Sequence, residues 1–234
     1  MRVLFVGNSH TYFNDMPRLF ADMCADLTGR EPEVQMLAYS NRSLRWHCEE
    51  HFSLRFALLY GHFDYCVIQQ QAHPFPPEEE TSPYLERIVR LCRSVGTKPV
   101  IFMTWREKAN PEAAPLMCAY YRRAAEKTGA LLAPIGELFE ELGKSESAVE
   151  LYWRDGEHAS PYGDYLTAAC LAALLCTPAD LSALKDEGFD FGVNFEGENG
   201  IPVTADREGE ARSALDPAKT AVIRSAIENK LLKA

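Results

Sequence analysis

The stretch Val3-Leu4-Phe5-Val6-Gly7-Asn8-Ser9-His10-Thr11 decides the class of fold. Its first four residues are apolar without alternation, the pattern of a strand buried on both faces of a parallel sheet. Gly7 ends the run, so Asn8 to Thr11 fall in a loop at the strand's carboxyl end, where ligands bind in parallel sheets. A serine directly after a buried strand and a glycine turn presents its hydroxyl at the rim of the sheet, with backbone N–H groups aimed at the same point. Residue statistics alone make such a serine a helix cap or a turn residue. Ser9 therefore needs partners elsewhere in the chain.

Working outward, the same signals recur. Met16, Leu19, Phe20, Met23 and Leu27 repeat at three- and four-residue spacing up to Gly29, which predicts an amphipathic helix with a glycine C-cap over residues 16–28. Residues 33–37 read as a second strand, 44–60 as one helical stretch, and Tyr65-Cys66-Val67-Ile68 as a third strand running into Gln69-Gln70-Gln71. Pro74, Pro76 and Pro77 with Glu78 to Glu80 predict a loop, followed by a helix over 84–95. Strands at 99–103 and 130–134 flank a helix over 115–128. An apolar helix spans 165–176, and Asp216-Pro217 is a cap and first turn for a last helix to about Leu232. This β-α alternation predicts an α/β fold with a mostly parallel sheet and helices on both of its faces. The 234 residues suit one domain, 1–234. Within it, residues 185–212 stand apart: Phe189, Phe191, Val193 and Phe195 alternate, which predicts a small appended hairpin or an ordered loop.

Composition narrows the partners. Thirty-four acidic residues against 24 basic give a net charge of −10, and no Lys/Arg-rich run offsets it. Such a field repels a phosphate backbone and an anionic membrane surface, so no nucleic acid and no membrane is expected as a partner. No run approaches the roughly 18 apolar residues of a membrane span, and Val3 to Val6 is too short for a signal-peptide core. Cysteines 24, 48, 66, 92, 118, 170 and 176 are odd in number and scattered through apolar contexts. They suit reduced thiols, and hence a cytoplasmic location.

Partners for Ser9 appear in Asp155-Gly156-Glu157-His158. An Asp and a His three apart in one loop can be joined by a hydrogen bond to the imidazole N–H, which fixes the tautomer and steadies the imidazolium formed when the ring takes a serine proton.

Gly7-Asn8-Ser9-His10-Thr11 after the first strand, together with Asp155-Gly156-Glu157-His158-Ala159-Ser160-Pro161-Tyr162-Gly163 near the last helices, resembles the SGNH (GDSL-type) hydrolase superfamily. The resemblance spans roughly residues 1–176, and the pairing of the two end blocks is its specific part. It implies a three-layer α/β/α fold with a flavodoxin-like, mostly parallel five-stranded sheet. It assigns Ser9 as nucleophile, His158 as general base and then acid, and Asp155 as the group orienting it. The family's second block carries a glycine whose N–H joins the nucleophile's own in the oxyanion hole; Asn41, in Ser40-Asn41-Arg42-Ser43-Leu44, takes that place, and Asn tolerates positive φ. The third block's Asn amide has no counterpart, and Gln69 or Gln71 is the substitute donor, as in a divergent branch with Q-x-Q here. Asn8 and Trp105 are candidates for the substrate pocket, with core packing an equal reading of Trp105.

These residues imply a serine esterase that needs no cofactor and no metal, acting on a small-molecule or carbohydrate ester. Short-chain esters, above all O-acetyl groups on carbohydrate, are favoured because no long apolar lid is evident. An acyltransferase or thioesterase with the same triad, and a catalytically silent carbohydrate-binding descendant, remain as alternatives. A competing constellation, His47-Cys48-Glu49-Glu50-His51, has the H-x-x-E-H spacing of inverted zincin-type proteases, with His47 and His51 sharing a face if one helix carries both.

Overall fold

In chain order the elements of the computed structural model are β1 (Arg2–Gly7), α1 (Ser9–Tyr12), a 3₁₀ turn (Phe13–Asp15), α2 (Met16–Thr28), β2 (Glu33–Ala38), α3 (Leu44–Glu49), α4 (Ser53–Gly61), β3 (Tyr65–Gln69), α5 (Glu78–Ser94), β4 (Lys98–Phe102), α6 (Ala113–Thr128), β5 (Leu131–Ala133), α7 (Ile135–Gly143), α8 (Pro161–Cys176), four short strands β6 (Glu187–Phe189), β7 (Val193–Asn194), β8 (Val203–Thr204) and β9 (Ser213–Ala214), and α9 (Pro217–Ile227) ending in a π turn (Glu228–Leu232). The structure describes residues 1–144, 149–178, 180–189, 193–194, 203–204 and 213–233. Two compact units form, one from Met1–Thr11 with Pro32–Glu137, the other from Tyr12–Glu31 with Leu138–Ala234. Each unit draws on segments distant in sequence, so neither is a contiguous stretch of chain.

The first unit holds the sheet. Its five strands run in the order β2-β1-β3-β4-β5, all parallel, with Val3 opposite both Val34 and Tyr65. Successive strands step outward from β1 in opposite directions, so the switch point of the sheet lies at the end of β1, where Ser9 follows. Val3 to Val6 have no exposed surface, as the unbroken apolar run predicts. The pleat sends Leu4 and Val6 to one face. There they join Cys66, Ile68, Ile101 and Met103 against Leu44, Leu54, Leu58, Leu85, Ile88, Val89 and Tyr120 of α3 to α6. Each fully buried side chain of this size contributes about 1.5–3 kcal/mol. β2 closes one edge, and its exposed Glu33, Gln35 and Met36 explain why its pattern is more polar than that of β1.

Three elements differ from the sequence pattern. The stretch predicted as one helix over 44–60 is two, because α3 ends at Glu49 and α4 starts at Ser53. The loop predicted at Glu78–Glu80 is instead the first turn of α5, where three carboxylates face the positive end of the helix dipole. Pro83 lies inside that helix at the loss of one backbone hydrogen bond. A further helix, α7, follows β5 in a segment for which no element was predicted.

In the second unit, α8 packs against α2 and α9. Twelve of the sixteen residues of α8 are buried, as expected of a helix that is apolar all round. Its cap is Ser160, whose Oγ accepts from Gly163 N at 3.2 Å, with Pro161 at the first position. α9 begins as predicted, with Asp216 Oδ1 accepting from Ala218 N at 2.9 Å. Within the 185–212 segment, β7 pairs antiparallel with β8, and β6 pairs with β9 just beyond it. Phe191 and Phe195, two of the four alternating residues, lie outside the described residues. No helix among the described residues is long and apolar enough to cross a membrane.

Candidate active site

The loop after β1 is held by groups from three other segments of its unit. A Cβ on Gly7 would collide with Gln69 Oε1 and Thr11 Oγ1, so only glycine lets β1 and β3 approach there. Gln69 Oε1 accepts from Asn8 N at 2.7 Å and from Thr11 Oγ1 at 2.9 Å. Gly7 O accepts from Tyr39 N at 3.2 Å and from His47 Nε2 at 2.8 Å. Asn8 Oδ1 accepts from His10 N at 3.1 Å, and Asn8 Nδ2 donates to Arg42 O at 3.2 Å. These bonds fix the backbone around Ser9, the first residue of α1.

The surrounding geometry bears on four expectations. Asn8 is buried with both ends of its amide engaged, so it braces the Ser9 loop against the 40–43 loop. Gln69 turns its carbonyl oxygen, not its amide, toward the loop. An amide flip would set N–H against Asn8 N–H, so the network itself fixes the orientation. Its Nε2 donates to Gln70 O, so in this structure Gln69 serves the Ser9 loop through its carbonyl oxygen. Trp105 is 1% exposed, with its ring 5.3 Å from that of His10, which is the core-packing reading of the two. His47 and His51 share no helix face, because α3 has ended before His51. Burial holds the His47 imidazole below its ordinary pKa, against the opposing pull of the Gly7 carbonyl, so Nε2–H donates to Gly7 O as a structural bond. No group of three potential metal ligands occurs among the described residues.

Gln71 differs from Gln69. It is half-buried, and among the described residues its Nε2 reaches His73 O alone, at 3.4 Å, a long contact that leaves a second N–H. Gln70, between them, is buried and structural: its Oε1 accepts from Leu44 N at 3.1 Å and Gln71 N at 2.9 Å, and its Nε2 donates to Thr81. Asn41 has φ 57°, the left-handed conformation that glycine usually supplies.

The second unit holds the Asp155–His158 loop. Asp155 Oδ2 lies 2.7 Å from His158 Nδ1, while Oδ1 accepts from Glu157 N at 2.8 Å and His158 N at 3.0 Å. Burial pushes the Asp155 carboxyl up, but the donors of Glu157 and His158 outweigh it, and its pKa lies below the ordinary value. Gly156, at φ 75°, turns the chain so that one carboxylate can serve its own loop and the ring. Trp153 N closes the loop on His158 O at 2.7 Å.

Three supports of His158 escaped the sequence reading. Phe13 stacks on the imidazole at 4.7 Å and 26°. Asn14, at φ 50°, donates from Nδ2 to Ala159 O at 3.0 Å and to Asp164 Oδ2 at 2.8 Å. Asp164 is fully buried, and burial pushes its carboxyl well above the usual range despite the Asn14 bond. The available signal was Asn14-Asp15, a pair that tolerates left-handed backbone, and both residues adopt it.

Solved structures carry the same architecture. TesA is 16% identical, with 75% of this chain and 98% of that one aligned at a TM-score of 0.60. A putative lipolytic protein of the G-D-S-L family from Desulfitobacterium hafniense DCB-2 is 13% identical over 74% of this chain and 98% of its own, TM-score 0.58. The fold is that of the SGNH (GDSL-type) hydrolases. A catalytic mutant of Axe2, an acetylxylan esterase from Geobacillus stearothermophilus, is similar in fold at 16% identity over 75% of this chain and 92% of that one, TM-score 0.54. The three-layer α/β/α class with its parallel five-stranded sheet is thereby the class of this chain. No protein-family profile and no curated protein matches the sequence.

Proposed function

We propose that this SGNH-type chain is a serine esterase that hydrolyses short-chain esters, with O-acetyl groups on carbohydrate as the favoured substrate class. The observation that carries the reading is the 2.7 Å pairing of Asp155 with His158 Nδ1, which leaves Nε2 as the ring nitrogen for proton transfer. In the mechanism, Ser9 Oγ attacks the ester carbonyl carbon while His158 Nε2 takes the hydroxyl proton. The N–H groups of Ser9 and Asn41 and the Gln71 amide hold the oxyanion. Collapse of the tetrahedral intermediate expels the alcohol, protonated by His158, and leaves acyl-Ser9. Water, deprotonated by the same ring, then releases the carboxylic acid.

The acetyl preference is supported by the acetylxylan esterase among the structures of this fold. Seven free thiols suit a reducing compartment, and we place the enzyme in the cytoplasm. The test is a p-nitrophenyl ester series on wild type and Ser9→Ala. Acetate should be turned over faster than octanoate, and Ser9→Ala should lose at least about 10³-fold in kcat. Wild-type rates from Ser9→Ala would overturn the mechanism, and equal or faster turnover of octanoate would overturn the substrate class.

A further inference from the structure

Two cysteines far apart in sequence meet where α2 and α8 pack. Cys24 Sγ and Cys176 Sγ lie 3.3 Å apart, both reduced. A disulfide has its sulfurs at about 2.05 Å, so closure needs a movement of little more than an ångström. Cys24 is buried and Cys176, the last residue of α8, is half-buried, so one sulfur of the pair is open to a small reagent.

We propose that Cys24 and Cys176 form a reversible redox site that a peroxide converts to an intramolecular disulfide. The contact makes the two thiols unequal. The Cys24 thiol holds that of Cys176 below its ordinary pKa, whereas the same contact, reinforced by burial, pushes Cys24 up. The more exposed sulfur is thus the readier thiolate and the attacking one. Cys176 S⁻ attacks one peroxide oxygen; the S–O bond forms, the O–O bond breaks, and the departing hydroxide takes a proton to leave as water. Cys24 sulfur then attacks the Cys176 sulfenic acid. The S–S bond forms, the S–O bond breaks, and a second water leaves with the Cys24 proton. The two sulfurs lose two electrons in all, and the peroxide oxygens gain them.

A second pair provides an internal control. Cys66 and Cys92 also neighbour each other, and both are wholly buried in the core of the sheet-bearing unit, which denies a reagent access. Proximity without exposure predicts an inert pair there.

The experiment uses the full chain, reduced and then treated with a few equivalents of hydrogen peroxide at neutral pH. Remaining thiols are alkylated, and the digest is read by mass spectrometry. A cross-link between the peptides carrying Cys24 and Cys176 is expected, lighter by about 2 Da than their sum and lost on dithiothreitol treatment. The oxidised protein should melt about 5 °C or more higher, because the bridge closes a loop of more than a hundred residues. In Cys24→Ser the sulfenic acid on Cys176 should persist and be trapped by dimedone. Absence of the cross-link in wild type, its appearance only in urea, or prior oxidation of Cys66 and Cys92 would overturn the proposal.

Discussion

Gln69 and Gln71 stand two residues apart, yet their amides meet different partners. Gln69 Oε1 accepts from Asn8 N and Thr11 Oγ1 in a buried setting. Removing it strands two buried donors, at a cost of roughly 1–3 kcal/mol. Among the described residues the Gln71 amide N–H holds a single 3.4 Å contact to His73 O, so its truncation strands little. Gln71→Ala should therefore lower kcat by roughly 10²–10³ with KM and melting temperature near wild type, the loss typical of one oxyanion donor. Gln69→Ala should instead lower the melting temperature. Steady-state kinetics beside thermal unfolding separates the two. A Gln71→Ala protein with wild-type kcat would leave an oxyanion hole made of backbone donors alone. Sequence could not choose between the glutamines, since periodicity says which face a residue takes but not which end of an amide meets a donor.

At the scale of elements, the 3₁₀ turn before α2 holds the His158 loop through Phe13 and Asn14, and Asp164 at the head of α8 holds Asn14. Asp164 carries a testable pH signature. Its folded carboxyl is held well above the ordinary range, while the unfolded chain ionises it near a pKa of about 3.9. Above that pH the unfolded state releases a proton that the folded state keeps, so this residue's contribution falls as pH rises toward the folded pKa. Asn is the neutral isostere of the protonated acid and still offers Asn14 an acceptor. Asp164→Asn should thus melt at or above wild type at pH 7, with the advantage vanishing as pH falls to about 4 and below. Melting curves across that range decide it, and a variant less stable than wild type at pH 7 would show that Asp164 is ionised in the fold.

The elements also show what was legible in sequence. β1 and α8 were readable because unbroken apolar runs demand burial, and α9 because Asp216-Pro217 is a local chemical cap. The Asp155–His158 pair was readable because three-residue spacing in one loop is itself nearly the geometry. The start of α5 lies earlier than the pattern predicts because Pro74, Pro76 and Pro77 with the charged run Glu78 to Glu80 read as loop, and the break after α3 carries no glycine or proline to announce it. Asn14-Asp15 signals a left-handed turn, but the partners of that turn are not legible in sequence. Asn14 and Asp164 are 150 positions apart, and no local period encodes a contact of that length.

For the whole molecule the dominant quantity is charge, 34 acidic against 24 basic residues, or −10. A net field of this sign acts on a substrate before any contact is made and is screened over a Debye length, about 30 Å at 0.01 M salt and about 8 Å at 0.15 M. A neutral acetyl ester feels none of it, whereas an ester on an anionic sugar such as an acetylated uronate is repelled during approach. Raising salt from 0.01 to 0.15 M should leave kcat/KM for a neutral acetylated sugar unchanged and raise it severalfold for the anionic one. Because the field acts on encounter, the change should appear in kcat/KM and not in kcat. A salt-independent ratio between the two substrates would mean that local charges around the site, and not the −10 of the chain, govern approach. Faster turnover of the anionic ester at low salt would point to a cationic subsite that the overall composition conceals.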